Sequence, residues 1–205
     1  IEAEKTTGAY WGVISALQIL KQNKTTIPKG ITRDYPKYEV RGFMLDVGRK
    51  AFDFNTVKEF AKNMAWYKMN NFHLHLSDNL IFLEDYATID EAVENAYAGF
   101  RLESEIPNLT SEDTYYTKDE FRSFIKDSRN MGVNIIPEFD MPAHALAITR
   151  AFPNLMTKEA GGNHKYLIEE LDIRKDGALD AAQSVWAQYF EGDDPVFDKD
   201  TTVHI

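Results

Sequence analysis

Three short apolar runs, each leading into a carboxylate and each separated from the next by an amphipathic helical pattern, constrain this 205-residue chain more than any other feature. Residues 40–47 read as a strand, with Phe43, Met44 and Leu45 ahead of Asp46. Residues 72–76 read as a second strand that runs into Ser77 and Asp78, and residues 133–137 as a third that runs into Glu138. Between the first two, residues 55–68 carry Val57, Phe60, Ala61, Met64 and Tyr67 at helical spacing. Ahead of the third, Thr117 and Glu120 form a capping-box pattern that opens a helix with Phe121, Phe124 and Ile125 inward, and Gly132 stands where a C-terminal cap glycine belongs. A further helix over 178–190 uses Leu179, Ala182, Val185, Trp186 and Tyr189, and residues 202–205 begin a fourth strand. Strand–helix alternation without polar alternation in the strands predicts an α/β fold, a parallel sheet covered by helices. No glycine-rich phosphate loop follows the first strand, which argues against a nucleotide-binding open sheet. Polar residues gather instead at strand C-termini, where a (β/α)8 barrel keeps its chemistry. A full barrel takes roughly 250 residues, so the expectation is the first half of a TIM barrel.

The remainder of the chain fits around that core. Tyr10, Val13, Ile14, Leu17 and Leu20 recur at helical spacing, and a polar stretch at 23–26 followed by Pro28, Gly30 and Pro36 reads as a connector. The domain boundary is placed near Tyr35, dividing the chain into 1–35, the tail and linker of a preceding domain, and 36–205, the half barrel. Residues 79–116 are too long for a bare loop and are expected to be an insertion over the active face. Lys and Arg number 23 against 33 Asp and Glu, a formal net charge of −10, which disfavours nucleic acid and anionic membranes as partners. With no cysteine, the chain has no disulfide, thiolate metal site or cysteine nucleophile. No apolar run reaches the roughly 20 residues of a membrane span, and no secretion signal lies within the sequence.

Three constellations can carry chemistry. In Phe72-His73-Leu74-His75-Leu76-Ser77-Asp78 the two histidines share one strand face, with Leu74 and Leu76 opposite. They read either as a metal pair or as interior residues hydrogen-bonded to neighbouring strands. Pro137-Glu138-Phe139-Asp140-Met141-Pro142-Ala143-His144 puts two carboxylates and an imidazole at one strand end, Asp140 also suiting a helix cap. In Arg41-Gly42-Phe43-Met44-Leu45-Asp46-Val47-Gly48-Arg49, a guanidinium at a strand start is expected to be buried and so to need a partner; its fork suits vicinal hydroxyls or a carboxylate. Arg49 reads as a structural ion pair with Asp46 or Glu138.

Those motifs, with Gly8-Ala9-Tyr10-Trp11-Gly12, Asp34-Tyr35-Pro36 and Lys68-Met69-Asn70 in the same order, resemble glycoside hydrolase family 20, the β-N-acetylhexosaminidases, over essentially the whole chain. The resemblance implies a catalytic barrel preceded by a small α+β domain, of which residues 1–35 are similar to the C-terminal helix. It further implies retaining, substrate-assisted hydrolysis of terminal β-linked N-acetylglucosamine or N-acetylgalactosamine. In that scheme the substrate's own 2-acetamido oxygen attacks the anomeric carbon to give an oxazolinium, a Glu protonates the leaving oxygen, and an adjacent Asp orients the acetamido group. By the same resemblance Arg41 holds the 3- and 4-hydroxyls, Asp78 and His144 form a relay behind the catalytic acid, Glu138 fixes that histidine, and Asp46 supports the site. No cofactor and no metal are implied; the partner is a glycan or glycoconjugate, and the location is secreted or at the cell surface.

The family's catalytic Asp-Glu pair is not in the sequence. The segment that should carry it reads Thr202-Val203-His204-Ile205, while Asp90-Glu91 and Asp119-Glu120 lie outside the motif. The chain is therefore expected to be an inactive fragment, prone to self-association or marginal stability because a half barrel leaves an open edge. Ala143 replaces the glycine usual before the histidine, and Asn79-Leu80-Ile81-Phe82 departs from the usual acidic, Gly-Trp sequence, which leaves GlcNAc against GalNAc and aglycone preference open. Two other classes remain: a His73–His75 metal-dependent barrel hydrolase and a non-catalytic sugar-binding module.

Overall fold

The computed structural model describes residues 1–23, 26–157 and 169–205; the middle of the polar stretch at 23–26 lies outside them. Helix α1 (Thr6–Asn23) is followed after a long extended connector by β1 (Gly42–Asp46), α2 (Phe54–Trp66) and β2 (Asn71–His75). Then come β3 (Ser77–Leu80), α3 (Ile89–Glu94), β4 (Tyr97–Phe100), α4 (Lys118–Asn130), β5 (Asn134–Glu138), α5 (Leu146–Ala151) and α6 (Ala178–Phe190). Strands β1, β2 and β5 form a parallel sheet in the order β1-β2-β5, an α/β architecture without barrel closure.

Register decides what this sheet presents. Asp46 pairs with His75 and His75 with Glu138, so an acid, an imidazole and another acid lie in one row at the C-terminal edge. Because strand side chains alternate, Phe72 and Leu74 point the other way and are fully buried in the core that α2 and α4 cover. That core is strongly aromatic: Phe54, Tyr116, Phe121 and Phe124 stack or meet edge-on at centroid distances of 4.5–6.1 Å.

Helix boundaries follow local chemistry. The Thr117 hydroxyl accepts from the Glu120 amide while the Glu120 carboxylate reaches back to the Thr117 amide, completing the capping box. Gly132, at φ 76°, follows the last turn of α4; a side chain there would collide with Thr7 of α1. Asp53 caps α2 by accepting from the Thr56 amide.

The structure corrects several expectations. Residues 202–205 make a single parallel bridge, His204 to Glu138, and no strand. Tyr67 lies beyond the end of α2 and is 72% exposed, and Leu179 is 70% exposed, the inner face of α6 being completed by Ala178 and Ala181. On β1, Phe43 and Met44 are 42% and 53% exposed, although Phe43 stacks on Phe60 of α2 at 5.8 Å. As expected, by contrast, the 79–116 segment is more than a bare loop: β4 within it pairs antiparallel with β3, and Arg101 ties the pair to the end of β1. This arginine is fully buried and donates Nε to the Val47 carbonyl (2.7 Å) and a terminal nitrogen to the Gly48 carbonyl (3.0 Å). Its other contacts are Asp113, the Thr114 carbonyl and Tyr97.

Candidate active site

The C-terminal edge of the sheet gathers four carboxylates, four histidines and one arginine. Asp78 is at its centre, only 1% exposed. One of its oxygens accepts from His75 Nε2 at 2.5 Å and pairs with Arg49 at 2.6 Å; the other lies 3.1 Å from His144 Nδ1 and 2.7 Å from the Asn79 amide. Burial would raise the Asp78 pKa, but the His75 hydrogen bond, the Asn79 amide and the charges of His144 and Arg49 together hold it below the usual carboxylate value. Arg49 bridges outward: its amide and guanidinium both bond Asp46, at 3.0 and 2.8 Å, and a terminal nitrogen lies 3.4 Å from His144. His144 itself is half-exposed, in the left-handed region at φ 54°, a conformation that non-glycine residues adopt sparingly and often at functional sites.

Behind Asp78, His75 and Glu138 continue the network into the interior. His75 Nδ1 meets Glu138 at 2.6 Å, while Glu138 also takes His204 Nδ1 at 2.7 Å and lies 3.0 Å from His73 Nε2. Burial alone would lower the His75 pKa; the hydrogen bonds to Asp78 and Glu138 outweigh it and push it up to about 9. Burial likewise works to raise Glu138, and the contacts with His75, His73 and His204 more than reverse it. For His73 desolvation wins, and its pKa is lowered.

Of the residues singled out from sequence, Asp46, Asp78, Glu138 and His144 therefore share one edge, and Arg41 does not join them. Arg41 precedes β1, at the other end of the strand, roughly 16 Å away at the usual rise per residue. Its guanidinium is held there: Nε donates to the Lys68 carbonyl at 2.7 Å and one terminal nitrogen to the Tyr38 carbonyl at 2.6 Å, over the Trp11 ring at 5.0 Å, while the other terminal nitrogen is buried without a partner among the described residues. The cation at the site is Arg49, whose ion pair with Asp46 is present and whose contact with Asp78 was not foreseen. The signal lay in the sequence, because Arg49 follows the strand-end aspartate whereas Arg41 precedes the strand. Glu138 also differs from its expected part: its partners are His75, His73 and His204, and Asp78 is the carboxylate that meets His144. Asp140 caps no helix with its side chain; its amide donates to Ser77 Oγ at 3.2 Å. Asn79, one of the divergent positions, is buried and accepts from the Leu146 amide at 3.4 Å.

Three groups at this edge bring potential metal donors within 4.8 Å of one another: His73–Glu138–His204, Asp46–His75–Asp78 and His75–Glu138–Asp140. Hydrogen bonds already engage the Asp78 and Glu138 oxygens and both ring nitrogens of His75, so the geometry is accounted for by a proton network.

A family model described as the catalytic domain of glycosyl hydrolase family 20 matches residues 38–194. The chain belongs to this family. Among its family 20 relatives, the β-hexosaminidase of Akkermansia muciniphila is 29% identical over 184 residues, covering 81% of this chain and 36% of that protein. The N,N'-diacetylchitobiase of Vibrio harveyi is 30% identical over 190 residues, 84% of this chain and 22% of that protein. Among solved family 20 structures, a Flavobacterium johnsoniae chitobiase superposes with a TM-score of 0.64 at 27% identity, over 88% of this chain and 26% of that one. The chain thus spans about a third or less of the length of these relatives.

Proposed function

We propose that this chain is part of a β-N-acetylhexosaminidase that removes terminal β-linked N-acetylglucosamine or N-acetylgalactosamine from external glycans by retaining, substrate-assisted hydrolysis. The observation that carries the reading is the Asp78–His144 contact of 3.1 Å, at the strand C-termini of a family 20 catalytic domain. The names of its relatives, β-hexosaminidase and diacetylchitobiase, support the same substrate class.

Within this proposal the residues of the chain position and tune. Asp78, anionic and buried, holds the imidazole of His144, whose exposed edge is free to orient a catalytic acid supplied from outside residues 1–205. Arg49, braced by Asp46 and Asp78, offers its remaining donors to sugar hydroxyls from the rim of the site. The acetamido oxygen of the substrate is the nucleophile, so the enzyme needs no carboxylate nucleophile and no metal. Residues 1–35 stand as the end of a preceding domain, and the enzyme works outside the cell or on its surface.

The test uses the full-length parent and a chromogenic N-acetylglucosaminide. Asp78→Ala and His144→Ala are expected to lower kcat by roughly a hundredfold with a small change in KM, the scale of a general-acid contribution. Residues 1–205 alone are expected to show no turnover. Native-like turnover by that piece, or unaltered kcat in both variants, contradicts the proposal; turnover that needs stoichiometric zinc on His73 and His75 favours a metal hydrolase instead.

A further inference from the structure

The proton network does not stop at Asp78. His75 is buried and squeezed between two carboxylates, Nε2 at 2.5 Å from Asp78 and Nδ1 at 2.6 Å from Glu138. An ionised carboxylate only accepts hydrogen bonds, so both ring nitrogens must donate, and a ring that donates twice is an imidazolium. The surroundings fit that charge. Asp46 on β1, Asp78 on β3, and Glu138 and Asp140 at the end of β5 all lie within reach of the ring. The basic groups facing the same carboxylates are Arg49 and His144 on Asp78, and His73 and His204 on Glu138. Glu169, more distant, adds to the field at Asp78.

We propose that His75 is a positioning residue of the reaction: an imidazolium, anchored by Glu138, that fixes the Asp78 carboxylate in the one orientation that presents its second oxygen to His144. The inference rests on the hexosaminidase reading and extends it inward by two residues, from the Asp78–His144 pair to Glu138–His75–Asp78–His144. Each link is geometrically necessary. Asp78 has two oxygens; His75 and Arg49 hold one, which leaves the other for His144 and the Asn79 amide. Glu138 meets His75 directly, and through it reaches Asp78, the carboxylate that meets His144. The histidine earlier on the strand, His73, lies 3.0 Å from Glu138 but has no contact with Asp78, so its removal should leave the orientation of Asp78 intact.

The experiment replaces His75 with Gln in the full-length enzyme, because a glutamine amide can still donate to Asp78 but carries no charge and cannot also hold Glu138. The expected result is a kcat about tenfold or more lower with KM within about twofold, the pattern of an interaction made for the transition state rather than for binding. The acid limb of the pH–rate profile should move up by about one pH unit, since Asp78 without its imidazolium takes a proton more readily. Glu138→Gln should shift the limb in the same direction, and His73→Gln should leave it in place. A purely structural role for His75 would lower the melting temperature and the active fraction without moving the pH limb, and that outcome overturns the proposal. Should His75→Gln fail to fold, ring nitrogen-15 spectra of the wild-type protein decide: both nitrogens protonated at pH 7 support the proposal, and a single protonated nitrogen overturns it. A wild-type parent with no hexosaminidase turnover sinks the functional reading itself, and the positioning role with it.

Discussion

Two arginines eight positions apart illustrate how position along a strand decides the part a residue can play. Arg41 and Arg49 flank β1, and both carry a guanidinium able to grip hydroxyls. Arg41 spends its donors on the carbonyls of Lys68, Tyr38 and Glu39 and lies over Trp11, at the end of the strand where parallel α/β folds keep stability rather than chemistry. Arg49 lies at the other end, between Asp46 and Asp78. In the full-length enzyme Arg49→Ala should therefore lower kcat/KM by roughly tenfold to a hundredfold, the loss of a charge-assisted contact to the sugar together with a brace on Asp78. Arg41→Ala should leave kcat/KM within about threefold and instead reduce stability by about 1–3 kcal/mol, because the three carbonyls lose their donors. Steady-state kinetics paired with urea denaturation of each variant separates the two roles. Equal kinetic losses at both positions would contradict the assignment. The residue types were legible in the sequence, and so was the cue that separates the two arginines, since Arg49 follows the strand-end aspartate and Arg41 precedes the strand; the buried partner of Arg49, Asp78, was not, because it comes from β3, distant in sequence.

At the level of elements, what could be read was what the chain fixes locally. The bounds of α6, Ala178–Phe190, and the Thr117–Glu120 capping box depend on periodicity and side-chain-to-backbone bonds within a few residues. Thr117→Ala should thus destabilise the protein by about 1 kcal/mol, measurable as a lower urea midpoint with an unchanged slope. A midpoint within error of wild type would mean that the cap adds nothing to α4. What could not be read was set by neighbours distant in sequence. Leu179 fits the helical apolar stripe and still faces outward, because the core beneath α6 is filled by Ala181, Val185, Trp186 and Tyr189. Residues 202–205 have a strand's composition but only β5 to pair with among the described elements, and a single bridge results. The β3–β4 pair was hidden for a related reason: its anchor, Arg101, is a buried charge whose five-donor fork is matched by carbonyls from β1's end and by Asp113, a match that no local pattern announces.

For the whole molecule, the balance lies between an uncovered apolar face and a strong net charge. Beside α6, Leu179, Phe190, Ile173, Val203 and Ile205, together with the largely buried Trp186, line an apolar groove of about 820 Å³. Met44, on the edge strand β1, adds a further exposed apolar side chain. Apolar area of this kind gains roughly 25 cal/mol for each Å² removed from water, so two copies of residues 1–205 have a reason to meet through α6. A formal charge of −10 on each copy opposes that contact, and the repulsion is long-ranged only at low ionic strength. The two terms give self-association a distinctive salt dependence. In sedimentation velocity, residues 1–205 should be largely monomeric near 10 mM salt, where the Debye length is about 30 Å, and should shift to dimers or larger species near 0.5 M as screening removes the repulsion. Leu179→Lys combined with Ile173→Lys should keep the chain monomeric at both ionic strengths, with helix content unchanged by circular dichroism, since these side chains are 70% and 72% exposed. If association instead weakened as salt rose, charge pairing rather than the α6 groove would be holding the copies together, and the face along this helix would have no part in it.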